Sequence, residues 1–190
     1  MTHACSALTV AALLSLNVAV ADGRAQAPAV PAATPPTTVV QKVRDAIALN
    51  DFKKAEQIVL DDMNDKGTTP IAIEAFSWLG RGAVAAKKYD EAIAYAQRTY
   101  TIVEEQLKTR KLDDEPRLPI ALGAAIEVMG LATAGQGNRS EAILYLRREL
   151  DTHKNTSLVE RITKNINLLS LEGTPALAID STEWIGSPGP

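Results

Sequence analysis

Side chains able to carry covalent or metal chemistry are few in this sequence. The single cysteine is Cys5, and the two histidines are His3 and His153. One thiol forms no disulfide, no Cys-x-x-Cys redox pair and no thiolate zinc site within a chain. Two histidines are too few for a His-based catalytic metal centre, and His153 follows Leu150 in a charged stretch with no second ligand beside it. Carboxylates are plentiful, but acid–base catalysis needs a pair held in a defined geometry, and no spacing here selects one. Gly135-Gln136-Gly137-Asn138 has two glycines like a phosphate loop but lacks the preceding strand and the Lys-Ser pair, so it reads as a turn. Asn138-Arg139-Ser140 and Asn155-Thr156-Ser157 fit the glycosylation sequon. Both fall where helices are expected to begin, which favours capping. The expectation is a chain with no catalytic residue, no metal and no cofactor.

Any working surface must then come from the elements that position ordinary side chains. The chain has 190 residues, 46% apolar, 23% charged and only 4% aromatic. Abundant alanine with few aromatics favours closely packed helices over a β-sandwich. A net charge of −3 argues against nucleic-acid binding by bulk charge. Between Val39 and Leu171 the apolar residues recur at helical spacing. Ile71, Ala75, Trp78, Leu79 and Gly82 share one face; so do Tyr89, Ala92, Ile93, Ala96, Tyr100, Val103 and Leu107. Leu122, Ile126, Met129, Gly130 and Thr133 form a third stripe, and Leu158, Ile162, Ile166 and Leu169 a fourth. Thr69 before Pro70 is a helix start, and Ser157 with Glu160 fits a capping box. Gly67 and Gly137 mark turns. Six or seven helices are expected, with Lys108 to Pro119 a charged loop in which Lys108 to Glu115 is a solvated helix end.

One phrase recurs three times: Asp51-Phe52-Lys53-Lys54-Ala55-Glu56, Lys88-Tyr89-Asp90-Glu91-Ala92-Ile93 and Asn138-Arg139-Ser140-Glu141-Ala142-Ile143. Glycine stands twelve residues before the alanine in two copies, as Gly80 and Gly130, each after a large apolar residue, Leu79 or Met129. The pairing implies hairpins whose helices touch backbone to backbone. This pattern resembles the tetratricopeptide repeat, with Leu-Gly in a first helix and Tyr…Ala in a second. The copies are degenerate. Their alanines lie 37 and 50 residues apart, against a family period of about 34; Val43 replaces the first glycine, and the usual terminal proline is missing. The resemblance implies an all-α solenoid over residues 39–171 whose inner helices present a concave surface to a protein or peptide. Arg44, Glu74, Ser77, Arg81 and Glu127 are the residues placed to face it. The Lys- and Asn-rich carboxylate clamp of chaperone-binding repeats is not matched.

The two ends differ from the middle. Leu8 to Ala21 is an apolar run too short to span a bilayer, ending in Ala19-Val20-Ala21, a small-residue cleavage pattern before Asp22. Cleavage after Ala21 is preferred to cleavage after Ala27, where Pro28 follows. Residues 1–21 are therefore expected to be a signal peptide, leaving a thiol-free periplasmic or secreted chain with no stable membrane span. Pro28, Pro31, Pro35 and Pro36 make residues 22–38 an extended linker. Residues 172–190 carry Gly173, Pro175, Ala176, Trp184 and Gly186. They resemble the lead-in to the redoxin domain of exported thiol–disulfide oxidoreductases, with Leu177 where proline is usual. The preceding helical region, with Trp78-Leu79-Gly80 and Leu122 to Glu127, is similar to the helical part found before such domains. With no partner strand, this tail is expected to be poorly ordered. Two functions follow: an exported non-catalytic interaction module, or the amino-terminal part of a truncated bipartite oxidoreductase, inactive here because thiol exchange requires a thiolate.

Overall fold

A computed structural model describes residues 37–171, and all regular structure among them is helical. The elements are α1 (Val39–Ala48), α2 (Phe52–Lys66), α3 (Pro70–Ala85), α4 (Tyr89–Leu107), α5 (Arg117–Gly135), α6 (Arg139–Thr152) and α7 (Val159–Leu171). A 3₁₀ turn, Leu112–Asp114, precedes α5. The segments expected to be a signal peptide (1–21), a linker (up to residue 36) and a poorly ordered tail (172–190, with Trp184) lie outside the described residues.

Helix starts follow local chemistry. The hydroxyl of Thr38 accepts from the Gln41 N–H at 3.2 Å, the Asp51 carboxylate from Lys54 at 3.0 Å, and Thr69 from Ala72 at 3.3 Å. Each satisfies a first-turn N–H that has no partner inside its helix.

The recurring phrase opens α2, α4 and α6, and the three links before it close alike. Each link has three residues, and the middle one is left-handed: Asn50 at φ 59°, Lys87 at 58° and Gly137 at 92°. The last residue then donates to a carbonyl five residues back, Asp51 to Ala46 at 2.9 Å, Lys88 to Ala83 at 2.8 Å and Asn138 to Thr133 at 3.1 Å. This closure caps the exposed carbonyls of one helix and launches the next. Ala55, Ala92 and Ala142, the fourth residues of α2, α4 and α6, are all fully buried.

The odd-numbered helices lie side by side, α1 on α3, α3 on α5 and α5 on α7. Each even helix rests on two of them: α2 on α1 and α3, α4 on α3 and α5, α6 on α5 and α7. At the amino-terminal end the core is Val43, Ala55, Val59, Phe76 and Leu79. Its middle is built of small residues, Ala83, Ala92, Ala96, Ala125 and Ala132 with Val128, which draws α3, α4 and α5 together. At the far end Leu118, Leu122, Ile126, Leu146, Leu158 and Ile162 interlock. Helix α5 is apolar nearly all round because it is surrounded by α3, α4, α6 and α7.

Five details of the sequence reading need correction. The two glycines receive side chains instead of backbone: a Cβ on Gly80 would sit 3.2 Å from Val128 of α5, and one on Gly130 3.0 Å from Leu146 of α6. Pro119 is not in a loop but in the first turn of α5, where its missing N–H costs no hydrogen bond. Lys108 to Glu115 is not simply a solvated helix end, because Leu112 is buried among Leu118, Leu158 and their neighbours. Ser157 makes no capping box; its N–H and hydroxyl both donate to Asp113, at 3.2 and 2.5 Å, tying the α6–α7 link to the 3₁₀ turn. Asn138 stands at the α6 N-cap position without a side-chain cap bond, and Asn155 lies in the turn after α6, so neither asparagine side chain caps a helix.

Candidate functional site

The exposed side of the odd-helix layer gathers charged side chains around one indole. Arg44 and Arg81 occupy equivalent positions in successive hairpins, one residue after Val43 and Gly80. Adjacent helices in matched register therefore bring their guanidinium groups to the same place. Trp78 lies one helical turn before Arg81 on α3, on the same face. The Arg44 guanidinium carbon is 4.5 Å from the Trp78 ring centroid and that of Arg81 4.6 Å. Both distances are well inside cation–π range.

Four further groups complete the cluster. Glu74, only 9% exposed, is ion-paired with Arg117 at the start of α5. Glu127 on α5 accepts from Arg161 of α7 at 2.6 and 2.8 Å through one carboxylate oxygen. Arg161 also donates to the Ile120 carbonyl at 3.2 Å. Gly123 makes this crossing possible, since a Cβ there would meet the Arg161 side chain at 2.9 Å. Arg81 sits within the field of several of these groups: burial pushes its pKa below the ordinary arginine value, the Arg161 and Arg44 charges add to the effect, and Glu127 and Glu74 oppose it. Four guanidinium groups thus share two carboxylates, and each carboxylate is engaged by a different arginine. Neither Arg44 nor Arg81 has an ion pair among the described residues. The Trp78 indole N–H is covered by its neighbours without an acceptor, a deficit of about 1–3 kcal/mol.

Of the residues expected on a concave surface, Arg44, Glu74, Arg81 and Glu127 are brought together here. Ser77 is not available: it is 3% exposed, and its hydroxyl donates to the Glu74 carbonyl at 2.7 Å. Trp78, Arg117 and Arg161 were missed by the sequence reading. Trp78 was absorbed into the apolar stripe of α3, although its spacing to Arg81 is a local signal. The other two act across helices, which no local spacing reveals.

A second polar group lies between α4 and α6. The Tyr100 hydroxyl donates to Glu149 at 3.2 Å, and His153 Nε2 is 3.4 Å from the same carboxylate oxygen. His153 is the C-cap of α6, with its side chain only 12% exposed, and so does not stand in an open charged stretch. Gln97, Tyr100, Thr101, Met129, Tyr145 and Glu149 border a cleft of about 300 Å³. Burial, then the Glu149 charge, pushes the phenols of Tyr100 and Tyr145 well above their ordinary range. They stay protonated at neutral pH and cannot act as bases there. Among the described residues no group of three or more His, Cys, Asp or Glu side chains is placed to hold a metal ion.

No protein-family model matches the chain, and no curated protein matches it.

Proposed function

We propose that the chain is an exported, non-catalytic interaction module of tetratricopeptide-like hairpins whose odd-helix face binds a protein or peptide. The observation that carries this reading is the pair of guanidinium groups over Trp78 with no carboxylate partner. Structural arginines are normally paired or dispersed in solvent. Two held over one aromatic ring keep N–H donors available to a ligand instead. The layering of α1, α3, α5 and α7 behind them supplies a rigid support, and the three identical hairpin closures are in keeping with a repeat. The apolar run Leu8 to Ala21 supports export to the periplasm or the medium.

Site-specific photocrosslinking in the native cell tests the reading. A crosslinking amino acid at Ala85, one turn beyond Arg81 and exposed, is compared with one at Gln57, exposed on α2. A defined protein adduct from position 85 and none from position 57 is the expected result. Equal labelling from both, or none from either, overturns it. Mass spectrometry of the native protein tests export: a mature start at Asp22 is expected, and an intact Met1 in a cytosolic fraction refutes it.

The second reading, the amino-terminal part of a bipartite thiol–disulfide oxidoreductase, is supported by the redoxin-like lead-in at Gly173, Pro175, Ala176, Trp184 and Gly186. Reading the gene beyond the Pro190 codon tests it. A Cys-x-x-Cys in a following thioredoxin-like stretch supports it, and a stop codon removes it.

A further inference from the structure

We infer that the Arg44–Trp78–Arg81 cluster is a binding site for the carboxylate side chains of an extended acidic peptide. The inference rests on the interaction-module reading and names its ligand class. Stacking on an indole uses the flat face of a guanidinium and leaves its in-plane N–H donors free. Arg44 and Arg81 make no hydrogen bond or ion pair with those donors among the described residues, while their stems are already ordered on Trp78. The planar, forked donor set matches a carboxylate through two parallel bonds. Arg81 is also partly buried and pushed toward its neutral form by desolvation and by Arg161. An anion placed against it offsets the unfavourable charge environment by direct attraction, which a cation does not.

Charge and dimension select the ligand further. The chain as a whole is net negative, yet this cluster has two guanidinium groups more than carboxylates. Glu74 and Glu127 hold Arg117 and Arg161 in place and leave the surplus to Arg44 and Arg81. The two free arginines stand on adjacent helices, and packed helices are about 8–10 Å apart. An extended chain advances about 3.3 Å per residue and points alternate side chains to one side, so carboxylates two residues apart are about 7 Å from one another. Long arginine stems span the difference. A cavity of about 720 Å³ is lined by Thr37, Val39, Ile58 and Ile71 among others and by none of the cluster residues. The cluster is an open surface, suited to a chain laid across it.

The test uses the full chain carrying Trp184→Phe, so that Trp78 is the sole indole and its fluorescence reports on the site. The probes are an acetylated hexapeptide with Glu at alternate positions, separated by Gly, its Gln isostere, and inorganic phosphate. The Glu peptide is expected to alter Trp78 emission saturably and to bind about tenfold more tightly than the Gln isostere. Arg44→Gln and Arg81→Gln should each weaken it about tenfold, with unchanged helical circular dichroism. The exposed Arg147→Gln and Arg148→Gln on α6 should leave it unchanged. Equal affinity for both peptides, or equal loss from the α6 variants, overturns the site. Phosphate binding as tightly as the Glu peptide overturns the carboxylate assignment. A crosslinked partner at position 85 together with no preference for the Glu peptide refutes this inference alone and leaves the interaction-module reading standing.

Discussion

Gly130 and Leu146 meet where α5 crosses α6, and their contact predicts a change of sign. A Cβ added at Gly130 would lie 3.0 Å from Cγ, Cδ1 and Cδ2 of Leu146, which is fully buried and cannot swing out. Such overpacking typically costs about 1–3 kcal/mol. Against it stands the gain of about 1 kcal/mol from replacing glycine by alanine inside a helix. Gly130→Ala alone should therefore destabilise the protein by about 0–2 kcal/mol. Leu146→Ala alone removes a buried leucine and should cost about 2–5 kcal/mol. In the Leu146→Ala background the obstructing atoms are gone, and the same Gly130→Ala change should stabilise by up to about 1 kcal/mol. The expected coupling is about 1–3 kcal/mol. Urea unfolding of the four proteins, followed by far-ultraviolet circular dichroism, measures it. Additive effects would refute the claim that Gly130 is glycine in order to admit Leu146. Gly130→Leu, which demands more room still, should be worse tolerated than either single change.

Other outcomes follow from the same contacts. Arg117→Ala strands the buried Glu74 carboxylate and should destabilise by about 1–2 kcal/mol, the figure reduced because Arg117 is partly exposed; chemical denaturation measures it, and Glu74→Gln in the same background should restore part of the loss. Asp113→Ala removes both bonds to Ser157 and should hasten tryptic cleavage at Arg110 and Lys111 without altering helix content. Burial and then Glu56 push the Tyr95 phenol up to about 12, and Tyr100 and Tyr145 are pushed up as well. An unfolded phenol titrates near 10. Between about pH 10 and 12 the unfolded chain loses protons that the folded chain keeps, so stability should fall as pH rises through this window. The tyrosinate absorbance of these three phenols should accordingly rise together with unfolding. Gly137→Ala meets no neighbour but must adopt φ 92°, so a loss of about 1 kcal/mol is expected from backbone strain alone.

Helices and hairpin starts were legible because their causes are local. Thr69 caps the helix that its sequence announces, and the repeated phrase opens α2, α4 and α6 with its alanine buried each time. What escaped was set by partners far along the chain. Ser157 carries a capping sequence, but Asp113 offers two charge-assisted bonds and wins its donors. Pro119 looks like a loop residue until the absence of any hydrogen-bond duty in a first turn is considered. In the candidate site, Arg44 and Arg81 were visible as exposed positions on inner helices. The indole between them and the arginines that claim Glu74 and Glu127 depend on helix register, which only packing sets.

The coat of neighbours around α5 has a consequence for the chain before it folds. An 18-residue window of this helix averages a mean hydropathy of 1.6, long and apolar enough to cross a bilayer. In the folded chain it is covered by α3, α4, α6 and α7, and the last two of these follow it in the sequence. A partly opened chain that lacks the contacts of α6 and α7 therefore exposes apolar surface that the folded chain covers. The seating of α6 on α5 through Leu146 at Gly130 is thus also part of what keeps this apolar helix covered.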